Sequence, residues 1–306
     1  MTTPRLAAVA GLLGLAVQGC AAGSIQLPRS WDDHYFDLVV DESTTRPTLA
    51  VLPFTAGKEI RQAGDFSASD VLSTELFKSG RFVLVERERL NAILDEQRLG
   101  RSGLVDENTA AEIGRLSGAA AVVFGGLSSA SQQKIDKFSY DLIRTEVRID
   151  ARAADTSTGR LIFVQSATGT SETKVVTDAQ GQVISGAIDP KAEFLNAAQA
   201  AVIELSQKLA RQFPVVGFVV SCDSNEFVTD VGADKDASVG DRLVVLRPLE
   251  RLTHPVTKKR VGWKKEVLAL GQVQAVDAST STAKILRRES GTEAIKAGDI
   301  VIVQKD

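Results

Sequence analysis

Histidine, cysteine and aromatic side chains are scarce in this chain: 306 residues hold two histidines, two cysteines and 5% aromatics. With His34, His254, Cys20 and Cys222 far apart in sequence, no paired Cys/His spacing of a zinc site exists. There is also no G-x-S-x-G elbow and no P-loop. Carboxylates alone do not exclude a hydrolase. The sequence nevertheless reads as non-enzymatic, with no catalytic, cofactor-binding or metal residue to nominate. The carboxylates of "GADKDASVGD" and the preceding Asp230 do not follow a calcium-loop spacing, and the stretch is expected to be a solvated turn. The formal charge is only −3, without a lysine or arginine block of the nucleic-acid type, which argues against nucleic acid as a partner. No apolar run approaches the roughly 20 residues of a transmembrane helix.

What is present begins at the N-terminus. Arg5 is followed by twelve apolar or glycine residues, Leu6 to Val17, the length of a signal-peptide core. Val17-Gln18-Gly19-Cys20 then resembles the bacterial lipobox, which predicts cleavage before Cys20 and its acylation by palmitate-type chains. Two or more acyl chains anchor a protein stably where one would not. Ala21 and Ala22 follow without an early aspartate, a pattern that implies sorting to the outer membrane, facing the periplasm. An acylated Cys20 leaves Cys222, in the apolar "FVVSC", without a disulfide partner; it is expected to be a small core hydrophobe, with a reactive thiol as the alternative.

Removing the first 19 of 306 residues leaves 287, enough for two domains. Residues 20–47 read as lipidated N-terminus and tether, in which Trp31, Tyr35 and Phe36 either cover their own domain or dock on a neighbour. Residues 48–213 carry alternating strand and helix signals. "TLAVLPF" reads as a buried strand, and Ser67-Ala68-Ser69-Asp70 has capping-box spacing for a helix with Val71, Leu72, Leu76 and Phe77 on its apolar face. "RFVLVE" is a strand and "RERLNAILDEQRLG" a short amphipathic helix ending at Gly100. Asp106 and Gly118 bracket a third helix, which leads into the apolar "AAAVVFGGL". "DPKAEFLNAAQAAVIELSQKLARQFP" is a packing helix stopped by Pro214.

The ordered block "LAVLPF" followed by "SASDVLSTELFKSGRFVLVERERLNAILDEQRLGRSGLVDENTAAEIGRLSGAAAVVFGGL" resembles the curli production assembly and transport family, the CsgG-like outer-membrane lipoproteins. The resemblance is strongest over residues 49–127 and looser to about 213. It implies an α/β domain, a mixed sheet with flanking helices, that assembles into rings and works with other envelope proteins. In the curli secretion channel of that family, each subunit adds two β-hairpins to a shared transmembrane barrel. Glu86-Arg87, in the family's most recognisable phrase, reads as a structural charged pair at a strand-to-helix junction.

Membrane-crossing strands need an unbroken lipid-facing row of apolar side chains. In the first candidate hairpin, from Ser128 to Asp150, one row of the first arm is Ser128, Ala130, Gln132, Lys134 and Asp136, the other Ser129, Ser131, Gln133, Ile135 and Lys137. Neither suits lipid. The second candidate, 169–186 with a turn at Asp178 to Gly181, also carries polar rows. The strand after residue 143 alternates, with Thr145, Val147, Ile149 and Ala151 opposite Arg144, Glu146, Arg148, Asp150 and Arg152, and its expected partner is "RLIFVQSATG". The interval "TAGKEIRQAGDF" lacks an aromatic before Phe66, so no constriction residue of the channel family is assigned.

Residues 214–306 turn β-rich and glycine-punctuated, as expected of a small all-β barrel or sandwich. "ASVGDRLVVLR" and "AIKAGDIVIVQ" share a Gly-Asp step, Gly240-Asp241 and Gly298-Asp299, that turns the chain into a strand. "HPVTKKRVGWKK", residues 254–265, is the one basic cluster and reads as a solvated hairpin loop, with anionic lipid, glycan or a partner as the alternative contact. The functional expectation is an outer-membrane-anchored, self-associating scaffold for envelope assembly or protein export; the alternative is an oligomeric secretion channel.

Overall fold

A computed structural model describes residues 39–40, 45–56, 66–96, 106–177, 182–186, 189–258 and 260–304. The signal sequence, Cys20, Trp31, Tyr35, Phe36, Gln97, Gly100 and the turn at 178–181 lie outside the described residues.

The α/β part is built on a mixed sheet. β1 (Thr48–Val51) pairs in parallel with β3 (Val83–Leu84) and with β4 (Ala121–Lys137), and the two residues of β2 (Thr55–Ala56) also pair in parallel with β4. From β4 onward the sheet is an antiparallel meander through β5 (Tyr140–Asp155), β6 (Leu161–Thr177) and β7 (Val183–Ser185). The expected partner of the alternating strand is correct, since Val147 faces Gly169 and Ala151 faces Gln165 across β5 and β6. "RFVLVE" contributes only Val83 and Leu84 as strand.

Local signals place the helices. α1 (Ala68–Lys78) is capped by Ser67, whose Oγ accepts from Asp70 N at 3.4 Å. α2 is Arg87–Glu96. α3 (Glu107–Ser117) is capped by Asp106, which accepts from Thr109 N at 2.8 Å, and ends at Gly118 with φ 74°, a left-handed stop. α4 (Pro190–Gln212) starts at Asp189, whose carboxylate accepts from Lys191 N and Ala192 N. α2 and α3 cover one face of the sheet, where Leu90, Leu94, Ala110 and Ile113 meet Leu52, Val122 and Phe124. α1 and α4 cover the other, where Leu72, Leu76, Ala197, Ala201 and Leu205 meet Val123, Val147, Ile149 and Phe163. Phe77, assigned from its spacing to the apolar face of α1, is 70% exposed instead; Ala68, Ser69, Leu72 and Leu76 form the buried stripe.

Residues 216–304 close a six-stranded barrel in the order β10–β11–β12–β9–β8–β13. Its strands are β8 (Val216–Cys222), β9 (Glu226–Thr229), β10 (Arg242–Thr253), β11 (Arg260–Val276), β12 (Ser281–Arg288) and β13 (Ile300–Gln304). Phe227, Leu243, Val245, Val273, Ala283 and Val301 fill its interior. Both Gly-Asp steps make the same turn. Gly240 and Gly298 take φ of 97° and 90°, and Asp241 and Asp299 accept from Ser238 N and Lys296 N at 2.9 and 2.8 Å. The basic stretch is not simply a loop, because from Arg260 onward it is strand β11.

The two parts share one core. Val216, Leu246, Ile300 and Ile302 of the barrel belong to the same buried cluster as α1, α4 and the sheet, and Val39, placed in the tether by its sequence context, is fully buried there. "GADKDASVGD" is likewise more than a solvated turn: Asp234 pairs with Arg46 at 2.7 Å and Asp236 with Arg81 at 3.1 Å, locking the barrel onto the α/β part.

Candidate functional site

The most exposed structure in the α/β part is the far end of the β4–β5–β6 meander. The three strands run for 17, 16 and 17 residues, and at about 3.3 Å per residue they outreach the 23 residues of α4 at about 1.5 Å each. Over Ala121 to Leu127, β4 is buried or half-buried; from Ser128 to Lys137 it is almost wholly exposed. A bulge between Leu127 and Ser129 shifts the register there. On the open face Arg144 pairs with Glu172 at 2.6 Å, and Arg148 pairs with Asp150 at 3.2 Å and donates to Ser166 Oγ at 2.8 Å. Burial alone would raise the Asp150 pKa, but the Ser128 hydroxyl, Arg148 and the Ser166 hydroxyl together hold it below the usual carboxylate range. Lys134 is held above the usual ammonium range by its bond to Asp141. This end of the sheet is a network of ion pairs.

On the opposite face α4 fixes the meander. Glu193, buried in its first turn, accepts from Ser171 Oγ and Thr173 Oγ1 at 2.5 Å each. Gly169 lets the helix backbone lie against β6, since a Cβ there would sit 2.0 Å from Ala197 O. At the tip Phe138 is fully exposed, and β7 presents Val183 and Ile184 at the same end of the sheet. Two main-chain edges remain open among the described residues: β4 beyond Leu127 on the side away from β5, and β6 before its short pairing with β7 at Val176 and Thr177. Where the helix layer ends, a cleft of about 630 Å³ is lined by Asp106, Glu107, Gly125, Gly126, Asp150 and Arg152, with Arg152 paired to Glu107 at 2.7 Å.

Other residues singled out by sequence take different roles. Arg87 pairs not with its neighbour Glu86 but with Asp70 of α1, tying two helices together. Cys222 is free and only half-buried at the end of β8, and burial pushes its thiol pKa up, a weak nucleophile. Among the described residues no cluster of His, Cys, Asp and Glu could hold a metal ion. No described helix is long and apolar enough to cross a membrane, which leaves strands unaddressed. One buried cluster escaped the sequence reading. Arg247, 8% exposed, donates Nε and Nη2 to the buried Asp299 at 2.6 and 2.8 Å, Nη1 to Glu293 at 2.6 Å and Nη2 to Ala294 O at 2.9 Å. The Gly-Asp echo pointed to Asp299 as a turn former, but nothing local pointed to its partner 52 residues away.

No curated protein matches. Among solved structures, the LpoB C-terminal domain from Salmonella enterica is similar at 18% identity, covering 44% of this chain and 90% of that one with a TM-score of 0.31. Lipoprotein GNA1162 from Neisseria meningitidis is similar at 11% identity, covering 41% and 83% with a TM-score of 0.32. The PelC dodecamer from Paraburkholderia phytofirmans is similar at 13% identity, covering 53% and 87% with a TM-score of 0.27. The family described as curli production assembly/transport component CsgG matches residues 42–134, from the segment before β1 through the exposed half of β4. Over those residues, just under a third of the chain, the sequence is similar to that family.

Proposed function

We propose that this protein is an outer-membrane-anchored lipoprotein facing the periplasm, held by acylated Cys20, that self-associates as a non-enzymatic scaffold for envelope assembly or export. The observation that carries the scaffold reading is the exposed β4–β5–β6 meander. Its edges at β4 and β6, open among the described residues, offer main-chain groups to a second copy, the standard route by which sheets extend between chains. Its side chains suit water: Gln132, Lys134, Arg144, Arg148, Glu172 and Lys174 occupy it, and lysine or arginine facing lipid at mid-bilayer costs roughly 2–4 kcal/mol.

A secretion channel is the second reading, favoured by one observation. Strands of 16 and 17 residues exceed the roughly 9 to 11 a bilayer requires, and Phe138 crowns their tip. Two measurements separate the cases. Mass photometry of the acylated protein in detergent should give a multiple of the protomer mass, and a monomer would remove self-association. Planar-bilayer recording of the same sample should stay silent, and stable large-conductance steps would establish the channel. For the anchor, Cys20→Ala should move the protein to the soluble periplasmic fraction, while retention in the membrane would refute acylation as the tether.

A further inference from the structure

The barrel carries an arm that its closure does not need. β10 and β11 pair from Arg242↔Gln272 out to Thr253↔Arg260. β13, however, accompanies β10 only from Arg242 to Leu246, and β12 accompanies β11 only from Ala269 onward. Between those limits, residues 248–267 run on past the barrel's other strands as a two-stranded ribbon. Near its outer end, opposite Arg251, Trp263 packs against the shared core and stacks under the Arg251 guanidinium at 5.0 Å from the ring centroid. At its tip His254 Nδ1 accepts from Val256 N and Thr257 N at 3.2 and 3.1 Å, and Lys258 takes φ 57°. This built turn presents Val256 at 81% exposure, with Leu249, Leu252 and Val261 also exposed along the ribbon. Arg251, Lys258, Lys264 and Lys265 add positive charge against only Glu250 and Glu266, in a chain of formal charge −3.

We propose that this arm seats on the headgroups of an anionic phospholipid bilayer. Trp263 holds one side of the ribbon to the core, and the apolar side chains it still keeps outward are covered when it meets a second surface. Lysines spread along an exposed ribbon are point charges suited to a diffuse anionic plane, and the protruding valine and leucines reach the boundary between headgroups and acyl chains, where a glycan offers nothing apolar. The position agrees with the anchor, a point that rests on the lipoprotein reading above. Val39 shares a core cluster with Leu246 at the foot of the arm, and the nineteen residues from Ala21 to Val39 reach at most about 65 Å, so lipid and arm can share one membrane.

The test uses the mature chain from residue 20 onward carrying Cys20→Ala, so that neither acyl chain nor signal sequence contributes, co-sedimented with vesicles of phosphatidylcholine alone or mixed with phosphatidylglycerol. Binding should appear with the anionic vesicles and weaken with added salt. Lys258→Gln and Lys264→Gln, both at exposed positions, should each reduce it roughly fivefold. Val256→Ser should reduce it further, with the thermal midpoint unchanged in all three variants. Equal binding to both vesicles, indifference to the lysine variants, or capture by purified peptidoglycan sacculi without capture by vesicles would each overturn the proposal. Because the lipid anchor is absent from this protein, failure here leaves the fate of Cys20 to its own fractionation experiment.

Discussion

Two aspartates at equivalent turns show how much a residue's surroundings decide. Asp241 and Asp299 each follow a glycine at positive φ and each accept a bond from the main chain three residues back. Only Asp299 is also the bidentate partner of a buried guanidinium, held at 2.6 and 2.8 Å, which raises the Arg247 pKa further above its ordinary value. Removing one member of a buried ion pair strands the other. Asp299→Ala should therefore cost about 3–5 kcal/mol in urea unfolding. Asp241→Ala should lose less, with about 1 kcal/mol for its bond from Ser238 N. Equal losses would refute the distinction. The turn chemistry was legible because it is local; the ion pair was not, because it joins positions 52 apart.

At the scale of elements, caps and periodicity located the helices. Ser67, Asp106 and Asp189 cap α1, α3 and α4, and Gly118 stops α3. Each such signal is read within one turn of chain. Strand pairing was less legible. β9 is four residues within a polar stretch, and the outer halves of β10 and β11 lack the apolar runs that mark the barrel strands proper. The same limit applies to Phe77, whose helical spacing is right but whose side of α1 faces no partner element. Contact between α4 and β6 depends on a glycine that no periodicity flags. Gly169→Ala would place a methyl carbon 2.0 Å from Ala197 O and 2.3 Å from Ala201 N. The helix must then shift, and the loss should be about 1–3 kcal/mol by urea unfolding, the usual range for overpacking. An unchanged midpoint would show that α4 sits less tightly than this contact requires.

For the whole molecule, the shared core makes the two parts one cooperative body. Leu246, Ile300 and Ile302 of the barrel lie in the same buried cluster as Leu72, Leu205 and Phe213, and Arg81 reaches across to Ala210 O at 3.0 Å and to Asp236. Calorimetry should give a single transition whose calorimetric and van't Hoff enthalpies agree. Two resolved transitions would show that the barrel melts alone. What the sequence determined by itself is what is encoded within a few residues: the helix caps, the alternation along β5 and the change to a β-rich C-terminal part. Tertiary structure alone decided that an acidic loop is a clasp, that Val39 belongs to the core and that the second half of a basic loop is strand β11 of a closed barrel. The reason is physical: a charge or a strand edge acquires its role from the group placed opposite it, and that group is chosen by the fold rather than by its neighbours in the chain.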